Sequence, residues 1–160
     1  MILALGIFAT TLTACSAKET KVDQTATIKT DRGDFVINLD SKAAPNSALN
    51  FIKKASGGEY SGRTFHRVED WVVQGGDPAG NGTGGGDQAT ELSESNFSEG
   101  AVGIARGGDI KVSNADQFFI CTKECNFLNN QYTYLGKVTS GMDVVKQIKV
   151  GDKINAIEIK

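Results

Sequence analysis

The sequence predicts a mainly β fold, a closed antiparallel β-barrel of many short strands accompanied by two α-helices, and three observations carry that expectation. Glycine is the compositional outlier, with 19 residues against 2 prolines, which suits tight turns and irregular loops better than a helical bundle. Apolar residues alternate with polar ones in many short stretches, the period of half-buried strands. Only two stretches place apolar residues at helical spacing, and so many short strands remove their edges by closing on themselves. With 160 residues, 39% hydrophobic and 22% charged, the chain can bury one core without covalent staples, and one folded domain is expected.

Read in order, Ile2 to Leu12 is an apolar run too short to span a bilayer as a helix and long enough for the core of a signal peptide. It ends in Leu12-Thr13-Ala14-Cys15, which resembles the lipobox of bacterial lipoproteins, where the Cys is lipid-modified and becomes the mature N-terminus. Residues 1–14 are then a signal peptide, 15–24 a polar tether and 25–160 the folded domain, held outside the cytoplasm on a bacterial membrane by lipid on Cys15. A disordered N-terminal extension with a chance Cys is the alternative, because no Lys or Arg precedes the apolar run as a charged leader requires.

Thr25 to Leu39 alternates around Asp31-Arg32-Gly33, with Ile28, Phe35, Ile37 and Leu39 apolar, and reads as a hairpin. Pro45 suits a first helical turn, Ala48, Phe51, Ile52 and Ala55 follow at i, i+3, i+4 and i+7, and Gly57-Gly58 ends the helix. Arg63 to Val68 and Trp71 to Gln74 are the next two strands, joined by a turn at Glu69-Asp70. Asp77 to Ser95 is a long, polar, Gly-rich loop. Ala101 to Ala105 and Phe118 to Thr122 are strands separated by a polar loop from Arg106 to Asp116. Tyr134 to Val138 is a strand, Met142, Val145 and Ile148 mark one face of a second short helix after Gly141, and Ile154 to Ile159 is the closing strand.

Some function classes are set aside. A formal net charge of −2 with scattered Lys and Arg leaves no electrostatic footprint for nucleic acid, so no nucleic-acid partner is expected. Gly80-Asn81-Gly82-Thr83-Gly84-Gly85 fits the G-x-G-x-x-G pattern. Gly86 to Ser95 nevertheless has no apolar helical stripe to present a helix N-terminus to phosphate, and no nucleotide cofactor is expected. Cys121 and Cys125 find no further ligand besides His66, so no metal site is expected. Cys121 reads as a buried small hydrophobe, with a disulfide to Cys125 as the alternative in an oxidising compartment.

Phe65 to Asp77 is a stretch of another kind, holding the only His, the only Trp, an Arg flanked by apolar residues and a Gln that ends an apolar strand before paired glycines. Arg, His and Gln are costly to bury unless paired or facing a cleft, so the stretch reads as the floor of a binding site. Taken alone, Arg67 would serve as well in a surface ion pair with Glu69 or Asp70. The blocks Tyr60-Ser61-Gly62-Arg63-Thr64-Phe65-His66-Arg67-Val68, Val73-Gln74-Gly75-Gly76-Asp77-Pro78, Gly82-Thr83-Gly84-Gly85, Gln117-Phe118-Phe119-Ile120-Cys121-Thr122 and Leu135-Gly136-Lys137-Val138 resemble the cyclophilin family of peptidyl-prolyl isomerases. The match covers roughly Thr25 to Lys160, with the blocks in the family's order.

The resemblance implies an eight-stranded closed antiparallel barrel capped by two helices, acting as a monomer on Pro-containing polypeptides without a cofactor. It implies Arg67 and Gln74 as the catalytic pair. A guanidinium always carries its donors, so Arg67 is expected to hydrogen-bond the prolyl nitrogen as its lone pair is released, or the adjacent carbonyl, with Gln74 holding the substrate carbonyl or Arg67 itself. Trp71, Val72, Phe119 and Leu128 are expected to grip the proline ring, and Ala105 and Arg106 to line the groove through their backbone. Phe127 and Tyr132 stand where many members carry Trp and His, and His66 is expected at the edge of the site, in a reaction that moves no proton. Trp71 replaces the Phe usual in the family, after a turn one residue shorter than in many members. A non-catalytic module of the same fold that holds Pro-containing segments is the alternative, and the joint presence of Arg67, Gln74 and Phe119 favours the enzyme.

Overall fold

The computed structural model describes residues 24–160, so the apolar leader and Cys15 lie outside the described residues. Nine strands and two helices follow in the order β1 (Thr25–Thr30), β2 (Gly33–Leu39), α1 (Pro45–Ser56), β3 (Thr64–Glu69), β4 (Val72–Asp77), β5 (Asp87–Ala89), β6 (Ala101–Arg106), β7 (Val112–Cys121), β8 (Tyr134–Ser140), α2 (Met142–Val145) and β9 (Ile154–Ile159). All pairings are antiparallel, along the path β3-β4-β7-β6-β8-β2-β1-β9, with β5 off the path on β7.

The expected closed barrel is not what forms. The sheet is an open, strongly curled half-barrel whose end strands, β3 and β9, do not zip together along their length. They meet through one isolated bridge, Thr64 to Lys153, and through backbone bonds of Gly62, Arg63 and Phe65 with Gly151, Asp152 and Ile154. Beyond Phe65 a bulge carries β3 away, and α1 packs against β9.

Period-two alternation builds two apolar layers from the same strands. Along β7, Phe118 and Ile120 enter the interior with Phe35, Phe51, Phe65 and Leu135, while Phe119 and Cys121 join an outer cluster with Val72, Phe97, Leu128 and Tyr134. This two-sided burial explains why Cys121 and Cys125 are both fully buried, as free thiols whose pKa values burial pushes up. Helix α1 has no side-chain cap of its own; the Glu91 carboxylate accepts the backbone N–H groups of Asn46 and Ser47 at 3.1 and 2.7 Å and so satisfies the helix start from a distant loop.

Two elements depart from the sequence expectation. Strand β5 and the first half of β7 occupy stretches that read as loops, because Gln88, Ser113 and Asn114 commit their side chains to polar contacts instead of an apolar face. Trp71 lies in the turn with Asp70 instead of opening β4.

Candidate active site

The register of the sheet assembles the site. Arg67 lies opposite Gln74, Gln74 opposite Phe119, and Phe119 opposite Gly103, so one cross-strand row runs over β3, β4, β7 and β6 on the outer face. Simple alternation would put Phe65 and Arg67 on the same face. Instead the β3–β4 pairing jogs: Thr64 faces Asp77, Phe65 faces Gly75 and Arg67 faces Gln74, with His66 and Gly76 left as one extra residue on each strand. Phe65 thereby turns into the core while Arg67, two residues on, faces the opposite side. Gly76 takes φ +87°, and a Cβ there would stand 2.7 Å from the Asp116 carbonyl oxygen, so its half of the jog needs glycine.

A small pocket with about 330 Å³ of empty space opens on this face, lined by Arg67, Trp71, Val72, Gln74, Ala105, Arg106, Phe119, Leu128 and Tyr132. Its apolar floor is dry: Val72, Ala105, Phe119 and Leu128 are all buried. The walls are aromatic, with Phe119 edge-on to Tyr132 at 5.6 Å, and the Arg106 guanidinium lying 4.4 Å above the Tyr132 ring. Phe127 does not line the pocket; it is 59% exposed and packs edge-on against Trp71 at 5.1 Å.

Arg67 is anchored on two sides. Its Nε and one terminal nitrogen donate to the Glu69 carboxylate at 2.7 and 3.1 Å, and the other terminal nitrogen donates to Gln74 Oε1 at 3.1 Å. A guanidinium has five N–H donors, so two remain for a ligand above the pocket. Gln74 in turn donates to Gln117 Oε1, and Gln117 donates to the carbonyls of Gly82 and Gly84, a relay that fixes the orientation of both amides. Sequence reasoning missed Gln117 and Glu69 as parts of the site. Glu69 was visible there only as a surface ion-pair partner; its place on the same strand face as Arg67 is the signal that finds it.

His66, the extra residue of the jog, is outside the pocket. Neither ring nitrogen has a hydrogen-bond partner, and the ring lies under the Gly-rich loop near Gly82. Burial lowers its pKa against the opposing pull of Asp77, with Arg67 adding to the lowering, so the neutral ring is favoured. Among the described residues no group of three or more His, Cys, Asp or Glu side chains is placed to hold a metal ion.

The space at Gly103 is fully used. A Cβ there would collide with Phe119 and stand 2.7 Å from Phe97 Cε1. Gly103→Ala is therefore expected to cost about 1–3 kcal/mol in urea unfolding. By pushing Phe119 toward the pocket, it should also raise the KM for X-Pro peptides more than it lowers kcat.

The family model for cyclophilin type peptidyl-prolyl cis-trans isomerase/CLD matches residues 25–159. A peptidyl-prolyl cis-trans isomerase of Helicobacter pylori is 36% identical over 149 residues, covering 88% of this chain and 90% of that protein. Peptidyl-prolyl cis-trans isomerase B of Bacillus subtilis is 37% identical over 135 residues, covering 81% and 93%. A crystal structure of a cyclophilin type peptidyl-prolyl cis-trans isomerase of Cryptosporidium parvum superposes with a TM-score of 0.80 at 27% identity, over 86% of this chain and 97% of that one. A second crystal structure of that protein, in the presence of the dipeptide Ala-Pro, gives a TM-score of 0.79 at 26% identity over 85% and 98%. On the strength of a family match across the whole folded region, this chain belongs to the cyclophilin-type peptidyl-prolyl cis-trans isomerases.

Proposed function

We propose that the pocket at Arg67 is where this isomerase turns X-Pro bonds, with Arg67 and Gln74 as the catalytic pair and Val72, Phe119, Leu128 and Trp71 gripping the proline ring. The observation that carries the reading is a guanidinium with two uncommitted donors, held rigidly over a dry pocket lined by apolar side chains. An amide resists rotation by ~18–20 kcal/mol because its nitrogen shares a lone pair with the carbonyl. A 10⁵-fold acceleration needs about 7 kcal/mol of that barrier removed. No bond breaks and no proton moves, so the assistance comes from holding the twisted amide better than either planar form. In the twist the nitrogen regains its lone pair and accepts a hydrogen bond from Arg67, while the ring stays fixed in the pocket and the carbonyl side rotates. Ala105 and Arg106 border the groove for the flanking backbone. The similar Cryptosporidium protein was crystallised in the presence of the dipeptide Ala-Pro, which is in keeping with a pocket that takes proline.

The substrates in this reading are exported or surface polypeptides folding outside the cytoplasm, reached by a monomeric domain (25–160) on a tether (15–24) with lipid on Cys15. The leader pattern Leu12-Thr13-Ala14-Cys15 supports it. A protease-coupled assay on X-Pro peptides should give clear catalysis; peptide binding without turnover would replace the enzyme reading with a holding module. Palmitate should label the full chain in a bacterial host and be lost in Cys15→Ser; equal labelling of both would remove the anchor.

A further inference from the structure

Glu69 holds a position that the reaction itself does not require, and two hydrogen bonds from Arg67 converge on it. It lies two residues from Arg67 on the same face of β3, opposite Val72 across the turn, at the edge of the pocket that Arg67 lines. Its carboxylate takes the Nε edge of Arg67 in a two-bonded fork, at 2.7 and 3.1 Å. Hydrogen bonding to Arg67, with the charge of Arg67 beside it, holds the Glu69 carboxyl below its ordinary value although some desolvation opposes this. Trp71 is in turn pressed between the Arg67 guanidinium, 5.2 Å from its ring, and Phe127. A guanidinium without that fork could turn about its Cδ–Nε bond. With the fork in place, its two uncommitted donors sit at the terminal nitrogens, beside the one that Gln74 holds.

We propose that Glu69 is a positioning residue of this active site: its carboxylate clamps the Nε edge of the Arg67 guanidinium and so fixes where the uncommitted donors of the catalytic group point. The proposal rests on the assignment of Arg67 above. Asp70 provides the contrast, since it carries the same charge one residue away but faces outward to Lys123.

The test uses the full chain and four variants, Glu69→Ala, Glu69→Gln, Asp70→Ala and Arg67→Ala, with Glu69→Ala also placed in the Arg67→Ala background. Glu69→Ala should lower kcat about tenfold, less than the 10²-fold a full ~1 Å misplacement can cost, with KM changed less than twofold. Glu69→Gln, which keeps the volume, should lower kcat in the same direction, and Asp70→Ala should match the parent. In the Arg67→Ala background the Glu69→Ala change should cost nothing further, as expected of two residues acting as one unit. Trp71 is the only Trp of the chain and lies 5.2 Å from the Arg67 guanidinium, so its fluorescence reports where that group sits; the emission should change in Glu69→Ala and not in Asp70→Ala. An unchanged kcat in both Glu69 variants, a loss equal to that of Asp70→Ala, or a full additive loss in the double variant would overturn the proposal. If Arg67→Ala itself retains parental activity, the reading of Arg67 falls and this one with it. If Arg67→Ala is crippled while Glu69→Ala is not, only this one falls.

Discussion

Arg67→Ala should lower kcat/KM on an X-Pro peptide by about 10²-fold, the scale of removing one donor aimed at the transition state. The loss should fall on kcat, because the apolar floor of Val72, Phe119 and Leu128 grips the ring in planar and twisted forms alike. The variant should fold as the parent does, since the Arg67 side chain is 40% exposed and its removal frees only the rim carboxylate of Glu69 and one oxygen of Gln74. Arg67→Lys is the sharper form. It keeps the charge but cannot bond Glu69 and Gln74 and still present two donors, so it should be nearly as slow as the alanine variant. A lysine variant with more than half the parental rate would mean that charge alone suffices.

The largest loss of stability is expected at Asp116, which does not line the pocket. Its carboxylate, 7% exposed, accepts Lys54 Nζ at 2.8 Å, Arg63 at 2.9 Å and the Gly86 N–H at 3.0 Å, and those two cations are themselves mostly buried. Asp116→Ala leaves both without their main partner and should cost about 3–5 kcal/mol in urea unfolding. Burial pushes this carboxyl upward, but Lys54, the Gly86 N–H and Arg63 together outweigh it and hold its pKa below the ordinary 3.8. Because the folded value is depressed, the ionised form favours the folded state. That contribution is complete above the ordinary pKa and is lost as pH falls through the lower folded value. The stability gap between parent and Asp116→Ala should therefore be constant near neutrality and narrow below about pH 4. A gap that stays constant into strong acid would show that the ion cluster is not its source.

Much of this was legible in the residues, and what was not has a physical cause. The hairpin around Arg32 and the helix at Pro45 follow from local periodicity and turn residues, and the structure contains both. Arg67, Gln74 and Phe119 were found through their motif, and the sheet places them side by side in one row. Glu69 was readable as an ion-pair partner of Arg67, but that it ends β3 on the face of Arg67 depends on where the turn falls, and the turn sits one residue later than expected. The jog at His66 is invisible to a period-two reading because it breaks that period. Closure of the sheet was misjudged for a related reason: whether β3 and β9 zip together depends on the bend that the same jog introduces, not on how many strands there are.

The jog has a consequence for how this hairpin can vary in length. Its two extra residues, His66 and Gly76, cancel one another, and the pairing is in the same register at Thr64–Asp77 as at Arg67–Gln74. Loss of either alone would leave a slip of one residue running down to Arg63 and Phe65, whose backbone holds the segment before β9. Insertions and deletions are thus confined to matched pairs or to the turn beyond Glu69, where a change of length leaves the row of Arg67, Gln74 and Phe119 undisturbed. The turn at Asp70 and Trp71 lies in that permissive place.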